Sequence, residues 1–400
     1  MTRNGPWEPV YLDNAATTRV RPDVAQAVLE AMTDGYGNAS SRHRLGARAR
    51  AALERARAQV AALIGAEQRG VIFTASATEA NNMALFGVAR AYSRQGRHIV
   101  TTAIEHPSVL EVAAALEALG YEVTRVPPGP DGVLDPSAVA AHVRQDTVLV
   151  SVMLVNNETG ALQPVPEIAR LARSRNPRAL VHSDLVQAAG RIPVDVKSLG
   201  VDLASLSAHK LHGPKGVGAL YVAPAVRIEP LIYGGGQERG LRSGTENIPA
   251  IVGFGVAAEL AMRELPDSAA RLRRLSERLR AGLQEAYPRI VFLGPQDADR
   301  RAPHIVSAAF PGLRAEVLAT HLDQEGGVLV STGSACSSHK ARTSHVLKAM
   351  ALGDSLADST IRLSLGLLTR EEEIDRAIES ARRVITDLAA FLGARGLSRG

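Results

Sequence analysis

Only one cysteine, Cys336, occurs in the 400 residues. No intramolecular disulfide can form, and a structural zinc site built on thiolates is excluded. A lone cysteine in such a chain is ordinarily a small buried hydrophobe. Lysine is scarce too. Lys197, Lys210, Lys215, Lys340 and Lys348 are the five lysines among 46 basic residues, and the rest are arginine. A lysine in a run of glycine and other small residues is therefore not there through a general preference for lysine. Aromatic residues make up 4% of the chain. No apolar run approaches the ~18–20 uncharged residues that span a bilayer, so no membrane association is expected. The first ten residues lack an apolar stretch and contain Trp7, Glu8 and two prolines. That is neither a secretory signal nor the Arg/Ser pattern of a transit peptide, and a cytoplasmic location is expected. No internal repeat or low-complexity tract is present.

The hydrophobic fraction of 46% and the charged fraction of 22% are those of a globular protein. The net charge of +5 permits an acidic partner without demanding one. Many arginines stand near glutamate at helical spacing, as in Arg48, Arg50, Glu54, Arg55 and Arg57, and read as solvated helix surface, so no direct nucleic-acid contact is expected. From about residue 71 to 223, short β-rich runs alternate with helical patterns. Strands are expected over 71–76, 98–103, 122–126, 147–155, 180–183, 203–207 and 218–222. Helices are expected over 78–95, 107–119 and 165–174. Near-continuous apolar strands between helices imply a mainly parallel sheet covered on both faces. A helix over 45–64 precedes this block and a long one over 251–287 follows it. The remainder mixes strands (305–310, 328–331, 361–365) with helices (315–323, 344–350, 371–392), a smaller α+β unit.

In such a sheet, chemistry sits beyond the carboxyl ends of the strands. Thr78 opens a helix after the first strand, where free N–H groups suit a phosphate, although a simple cap reads the same way. His106 follows the second strand and can stack on a flat ring or shuttle a proton, or be a polar loop residue. Asn156 and Asn157 follow the fourth and supply amide groups or turn chemistry. Asp184 follows the fifth, with Gln187 three residues on, and can pair with a buried cation or cap a helix. Lys210 follows the sixth, ahead of a Gly/Pro turn, and its amine can form a Schiff base or lie on the surface. His209 and His212 lack a further ligand at metal spacing, so no metal is expected. A strand-end lysine, a strand-end aspartate, a stacking histidine and a phosphate cup are together what pyridoxal 5′-phosphate needs.

These residues sit in ten segments: 11–18 (YLDNAATT), 37–43 (GNASSRH), 74–82 (TASATEANN), 105–106 (EH), 155–160 (VNNETG), 181–187 (VHSDLVQ), 207–216 (SAHKLHGPKG), 234–247 (GGGQERGLRSGTEN), 331–338 (STGSACSS) and 359–366 (STIRLSLG). In this order they resemble the class V aminotransferase family, specifically its cysteine desulfurases of the NifS/IscS type, over nearly the whole chain. The resemblance implies the pyridoxal-phosphate-dependent transferase fold of type I, an α/β fold. Its large domain has a mainly parallel seven-stranded sheet (residues 17–260). A smaller α+β domain (1–16 and 261–400) carries the cysteine loop.

The resemblance also implies roles. Lys210 holds the cofactor aldehyde, Asp184 pairs with the pyridine nitrogen, and Gln187 bonds the ring hydroxyl. His106 stacks on the ring and assists proton transfer. Thr78, Ser207 and His209 hold the phosphate with the backbone around Ala77, and Thr245 reaches the phosphate of the neighbouring subunit of a homodimer. Asn157 and Arg362 bind the substrate carboxylate, and Asn38 borders the substrate. Cys336, in a run of small residues unsuited to a core, becomes the nucleophile. It takes sulfur from L-cysteine as a persulfide, leaves L-alanine, and passes the sulfur to an acceptor protein for iron–sulfur cluster assembly or tRNA thiolation. A selenocysteine lyase, another class V aminotransferase and an inactive sulfur-delivery scaffold are the alternatives. Leu185 stands just after Asp184 where the family usually has a small residue, and Val186 follows where Val or Thr is usual, which implies a bulkier wall below the ring. Gln237 replaces a frequent histidine. The chain stops soon after Leu392, where members that dock the iron–sulfur scaffold have a longer tail.

Overall fold

The computed structural model describes residues 8–332 and 344–396. Thirteen strands appear among them: β1 (Val10–Tyr11), β2 (Val71–Thr74), β3 (His98–Thr102), β4 (Glu122–Val126), β5 (Thr147–Ser151), β6 (Leu180–Asp184), β7 (Leu203–Ser207), β8 (Gly218–Val222), β9 (Val291–Leu293), β10 (Ile305–Ala309), β11 (Val328–Leu329), β12 (Ser331–Thr332) and β13 (Thr360–Ser364). The main sheet has seven strands in the order β2-β8-β7-β6-β5-β3-β4. Only β8 runs against its neighbours.

Successive residues of a strand point to opposite faces, and both faces here are covered. Val100 and Val150 enter one core, with Leu53, Val60 and Phe254. Ile99 and Leu149, one position earlier, enter the other, with Met83, Val109 and Leu116. Twelve helices are described: α1 (Pro22–Thr33), α2 (Arg44–Leu63), α3 (Ala77–Ala91), α4 (Pro107–Ala118), α5 (Pro136–Ala141), α6 (Val165–Arg175), α7 (Val196–Leu199), α8 (Ile248–Ala286), α9 (Ala315–Gln324), α10 (His345–Ala349), α11 (Asp354–Ala357) and α12 (Glu371–Gly396).

A second sheet, β12-β13-β10-β9, is antiparallel. Its core joins Leu272, Leu279 and Leu283 of α8 to Phe310, Leu318, Ile361 and Ile374. Helix α8 thus serves two cores: Ile251, Phe254 and Ala258 belong to the first. Pro266, which cannot donate an intrahelical hydrogen bond, lies between the two stretches.

The alternating elements stand where periodicity puts them, within a few residues. Two differences are informative. The expected strand over 147–155 ends at Ser151, although Val152 and Leu154 still donate to the carbonyls of His182 and Asp184. The expected strand over 328–331 is split. Val328 and Leu329 pair with β1, then the chain changes sheet and Ser331 and Thr332 pair with β13.

A buried ion pair ties the Gly-rich segment to the main sheet. Arg57 grips both oxygens of Glu238 at 2.6 and 2.9 Å, and Glu238 also accepts from Phe73 N–H. Both side chains are buried, and the guanidinium stacks 5.0 Å from the Phe73 ring centroid. The bidentate geometry holds Glu238 and Arg239 at positive φ, 46° and 60°, where non-glycine residues are strained. Arg57→Ala leaves a buried carboxylate without its cation and should lower unfolding stability by about 3–5 kcal/mol in urea titration.

Candidate active site

Strand ends of the main sheet, the start of α3 and β13 surround a cavity of about 340 Å³. Ala77, Thr78, His106, Asn157, Asp184, Gln187, Ser207, His209, Lys210 and Arg362 all line it. Ten of the thirteen residues singled out in the sequence are therefore brought together. Asn38 and Thr245 are exposed and lie outside it. Their chain neighbours Ala39, Ser40 and Glu246 line a separate, more open hollow of about 590 Å³. Cys336 lies outside the described residues.

Each side chain is set by local structure. Ser76 caps α3 by accepting Glu79 N–H, and Glu79 reaches back to Ala75 N–H. This holds Ala77 and Thr78 at a helix N-terminus, whose first N–H groups have no partner inside the helix. Gly218 of β8 passes so close that a Cβ there would lie 2.5 Å from the Ser76 carbonyl carbon and 2.8 Å from Ala77 N. Any larger residue would displace the cup. His106 caps α4 ahead of Pro107, and its Nδ1 accepts Ser108 N–H at 3.1 Å. Of the two asparagines, Asn156 makes the turn: its Oδ1 accepts from Glu158 N–H and Thr159 N–H. That turn presents Asn157 to the cavity.

Lys210 Nζ donates to the carbonyl oxygens of Ala15 and Ala16, both at 2.6 Å. Asp184 is buried; its Oδ1 accepts from Val186 N–H at 2.9 Å and its Oδ2 from Asn81 Nδ2 at 2.9 Å. Gln187 donates to Ala15 O and meets His304 Nε2 at 3.3 Å. Arg362 donates to Asn157 O and to Asp13 Oδ1, while its buried Nε has no partner.

The two histidines that line the cavity, His106 and His209, are shifted toward the neutral form. Burial pushes His106 down, with Lys210 and His345 adding to the fall and Asp184 opposing it. Burial, then Lys210, pushes His209 down to about 4. Since Nδ1 of His106 accepts the Ser108 N–H, the neutral ring carries its proton on Nε2.

Several residues of the site carried no individual signal in the sequence. Ala15 and Ala16 act through carbonyl oxygens, which no side-chain motif reveals. Ser108 lines the cavity, and Asn81 and His304 act from behind its wall. Leu185 is the reverse case. It is buried in the main core, and Val186 is the one that lines the cavity. The bulkier wall expected from Leu185 is therefore absent, because the β6 backbone turns that side chain away from the site.

The family model described as Aminotransferase class-V matches residues 10–377. The chain belongs to this family. A cysteine desulfurase IscS from Anaeromyxobacter dehalogenans is 47% identical over 373 residues, covering 92% of this chain and 91% of the relative. A human cysteine desulfurase is 44% identical, covering 93% of this chain and 80% of the relative. A solved NifS-like protein superposes with a TM-score of 0.89 at 39% identity, over 95% of this chain and all of the other.

The cofactor of this class V aminotransferase is pyridoxal 5′-phosphate. The cavity fits it. A lysine amine, a buried carboxylate and a helix N-terminus share one space, and the spare N–H of Arg362 suits a bound carboxylate. Among the described residues, no group of three His, Cys, Asp or Glu could hold a metal ion, and no helix is long and apolar enough to cross a membrane.

Behind His106, Glu105 is fully buried. Burial raises its carboxyl from 4.5 to about 8, against hydrogen bonds from Met153 N–H and Thr102 that pull it down. Its Oε2 has no partner. Between pH 4.5 and 8 the folded protein holds a proton there that the unfolded chain has lost, so stability falls as pH rises through that window. The whole effect is roughly 5 kcal/mol at most. Glu105→Gln should flatten the fall in unfolding free energy between pH 5 and 8 by that contribution, measured by urea titration at each pH.

Proposed function

We propose that the protein is a pyridoxal-phosphate-dependent cysteine desulfurase. It takes sulfur from L-cysteine, leaves L-alanine, holds the sulfur as a persulfide on Cys336, and passes it to an acceptor for iron–sulfur cluster assembly or tRNA thiolation. The observation that carries this reading is the single cavity shared by Lys210, Asp184, His106 and Arg362. When bound, pyridoxal phosphate supplies the electron sink that makes the substrate's Cα proton acidic and its C–S bond labile.

The residues of the chain do the rest. Asp184 would pair with the pyridine nitrogen and Gln187 with the ring hydroxyl. Ala77, Thr78, Ser207 and His209 would hold the phosphate. Arg362 and Asn157 clamp the substrate carboxylate, and the guanidinium fork matches that planar anion. Lys210 anchors the cofactor and moves the Cα proton, with His106 beside it as a neutral ring. The Cys336 thiolate attacks the substrate sulfur, so that an S–S bond forms as the C–S bond breaks.

The anchors of the cysteine segment support its reach. Thr332, four residues before Cys336, lies on β12, and its neighbour Ser331 is the ladder partner of Arg362. Four extended residues span up to about 14 Å. On the other side, Ser344 donates to Glu158 and His345 Nε2 meets the Glu105 carbonyl at 2.9 Å. A homodimer is part of the proposal. Thr245 is exposed, and its neighbour Glu246 lines the open hollow beside α2, where a second copy would bring Thr245 to the neighbouring phosphate. The cores on the two faces of the main sheet, built mostly from residues 17–260, and the core of Leu272, Phe310 and Ile361 support a cofactor-binding unit over 17–260 and a smaller unit from 1–16 and 261–400.

Lys210→Ala should lower L-alanine production by ~10³-fold or more, and near-parental turnover in that variant would remove the mechanism. Cys336→Ala should keep the cofactor's colour and bind L-cysteine yet accumulate no protein persulfide, read by mass spectrometry after labelling with ³⁵S-cysteine. Labelled persulfide formed at the parental rate would show that the sulfur carrier lies elsewhere.

A further inference from the structure

Asn81 lies on α3, three residues past Thr78, and is wholly buried. Its amide nitrogen points two ways. Nδ2 donates to Asp184 Oδ2 at 2.9 Å and to Ser108 Oγ at 2.8 Å. Ser108 Oγ is in turn 2.8 Å from His106 Nδ1, which also accepts Ser108 N–H. One amide therefore joins the end of β6 to the cap of α4.

The donors and acceptors run in one direction. Both N–H bonds of the amide are spent on acceptors, the Ser108 hydroxyl is left free to donate, and His106 Nδ1 receives it. A flipped amide would set Oδ1 against the carboxylate, acceptor to acceptor. Asn81 Oδ1 is buried and has no partner. A side chain needed only to fill that space would be apolar, since a buried acceptor without a donor is destabilising. With Val186 N–H on Oδ1 of Asp184 and Asn81 on Oδ2, both carboxylate oxygens are pinned, and the plane of the group cannot swing.

We infer that Asn81 is a positioning residue that orients the Asp184 carboxylate and the His106 ring together, so that the edge and the face of the cofactor ring are addressed as one unit. The inference rests on the reading that Asp184 and His106 face the cofactor. No other common side chain of this length carries two N–H groups on one nitrogen. Aspartate would offer only acceptors, and leucine nothing.

The test measures cofactor affinity and the cofactor's visible absorbance against pH, beside turnover. Asn81→Ala should weaken pyridoxal phosphate binding about tenfold, the scale of one hydrogen bond to a charged group, and shift the absorbance–pH profile. Asn81→Asp, which keeps the volume but opposes Asp184, should weaken binding further and serves if the alanine variant does not fold. Ser108→Ala cuts only the His106 arm. It should leave cofactor affinity within about twofold of the parent and shift the pH profile of kcat. The double variant should lose less in kcat than the product of the single losses, as expected for residues of one network. A folded Asn81 variant with parental affinity and absorbance profile overturns the inference. Asp184→Ala separates the two readings: if it too binds as the parent does, the assignment of the site fails, whereas loss there with none at Asn81 sinks only the role of Asn81.

Discussion

The two hydrogen bonds from Lys210 Nζ to the carbonyls of Ala15 and Ala16 tie the reactive lysine to the N-terminal segment, and that segment organises everything around it. Residues 10 and 11 pair with β11. Asp13 holds Arg362, and Asn14 donates to the Ser364 carbonyl on the same strand. Ala15 also receives Gln187, and Thr17 and Thr18 bind His209. Nine consecutive residues thus form one strand of a two-stranded sheet with β11, bond to β13 of the second sheet, and reach Gln187, His209 and Lys210 at the cavity. Lys210 gives two of its N–H bonds to main-chain oxygens of this segment.

The electrostatics follow from burial. His106, His182, His209 and His304 are all pushed toward the neutral form by desolvation. Among the described residues, the other ionisable groups that line the cavity are Lys210, Asp184 and Arg362, with Asp13 behind. Buried Arg191 has its guanidinium pulled down to about 10 by desolvation and spends one N–H on the Lys210 carbonyl. Neutral imidazoles can donate or accept hydrogen bonds around a bound anion without adding charge, and the cations stay where a phosphate and a carboxylate would arrive.

Periodicity and strand-end logic made the seven-stranded sheet legible, because its strands alternate between two apolar faces and its helices carry strong caps. The same logic found Asp184, Lys210 and His106, whose residue types announce their chemistry at a strand terminus. It failed where function passes through the backbone or through a second layer. The run at 11–18 was recognisable as a motif, yet nothing in its side chains says that two alanine carbonyls hold a lysine. Strands of two residues, such as β1, β11 and β12, are too short for a period to show. The switch of sheets after Leu329 looks in the sequence like one continuous apolar run. Leu185 misled for the opposite reason: adjacency in sequence to Asp184 suggested a cavity wall, while alternation along the chain sends the two side chains apart.

That switch of sheets bears on how sulfur is handled. Ser331 of β12 pairs with Arg362 of β13, so one ladder register fixes both Arg362, the residue proposed to clamp the substrate carboxylate, and the point from which the chain runs on to Cys336. Ile361 and Leu363, on either side of Arg362, point into the small core. A slip of one residue would drive the guanidinium into the apolar core and turn an isoleucine or a leucine toward the cavity. The hydrophobic burial of those two neighbours therefore sets the register. The register in turn places Arg362 and the strand that leads to Cys336 side by side, before any polar contact at the site is made.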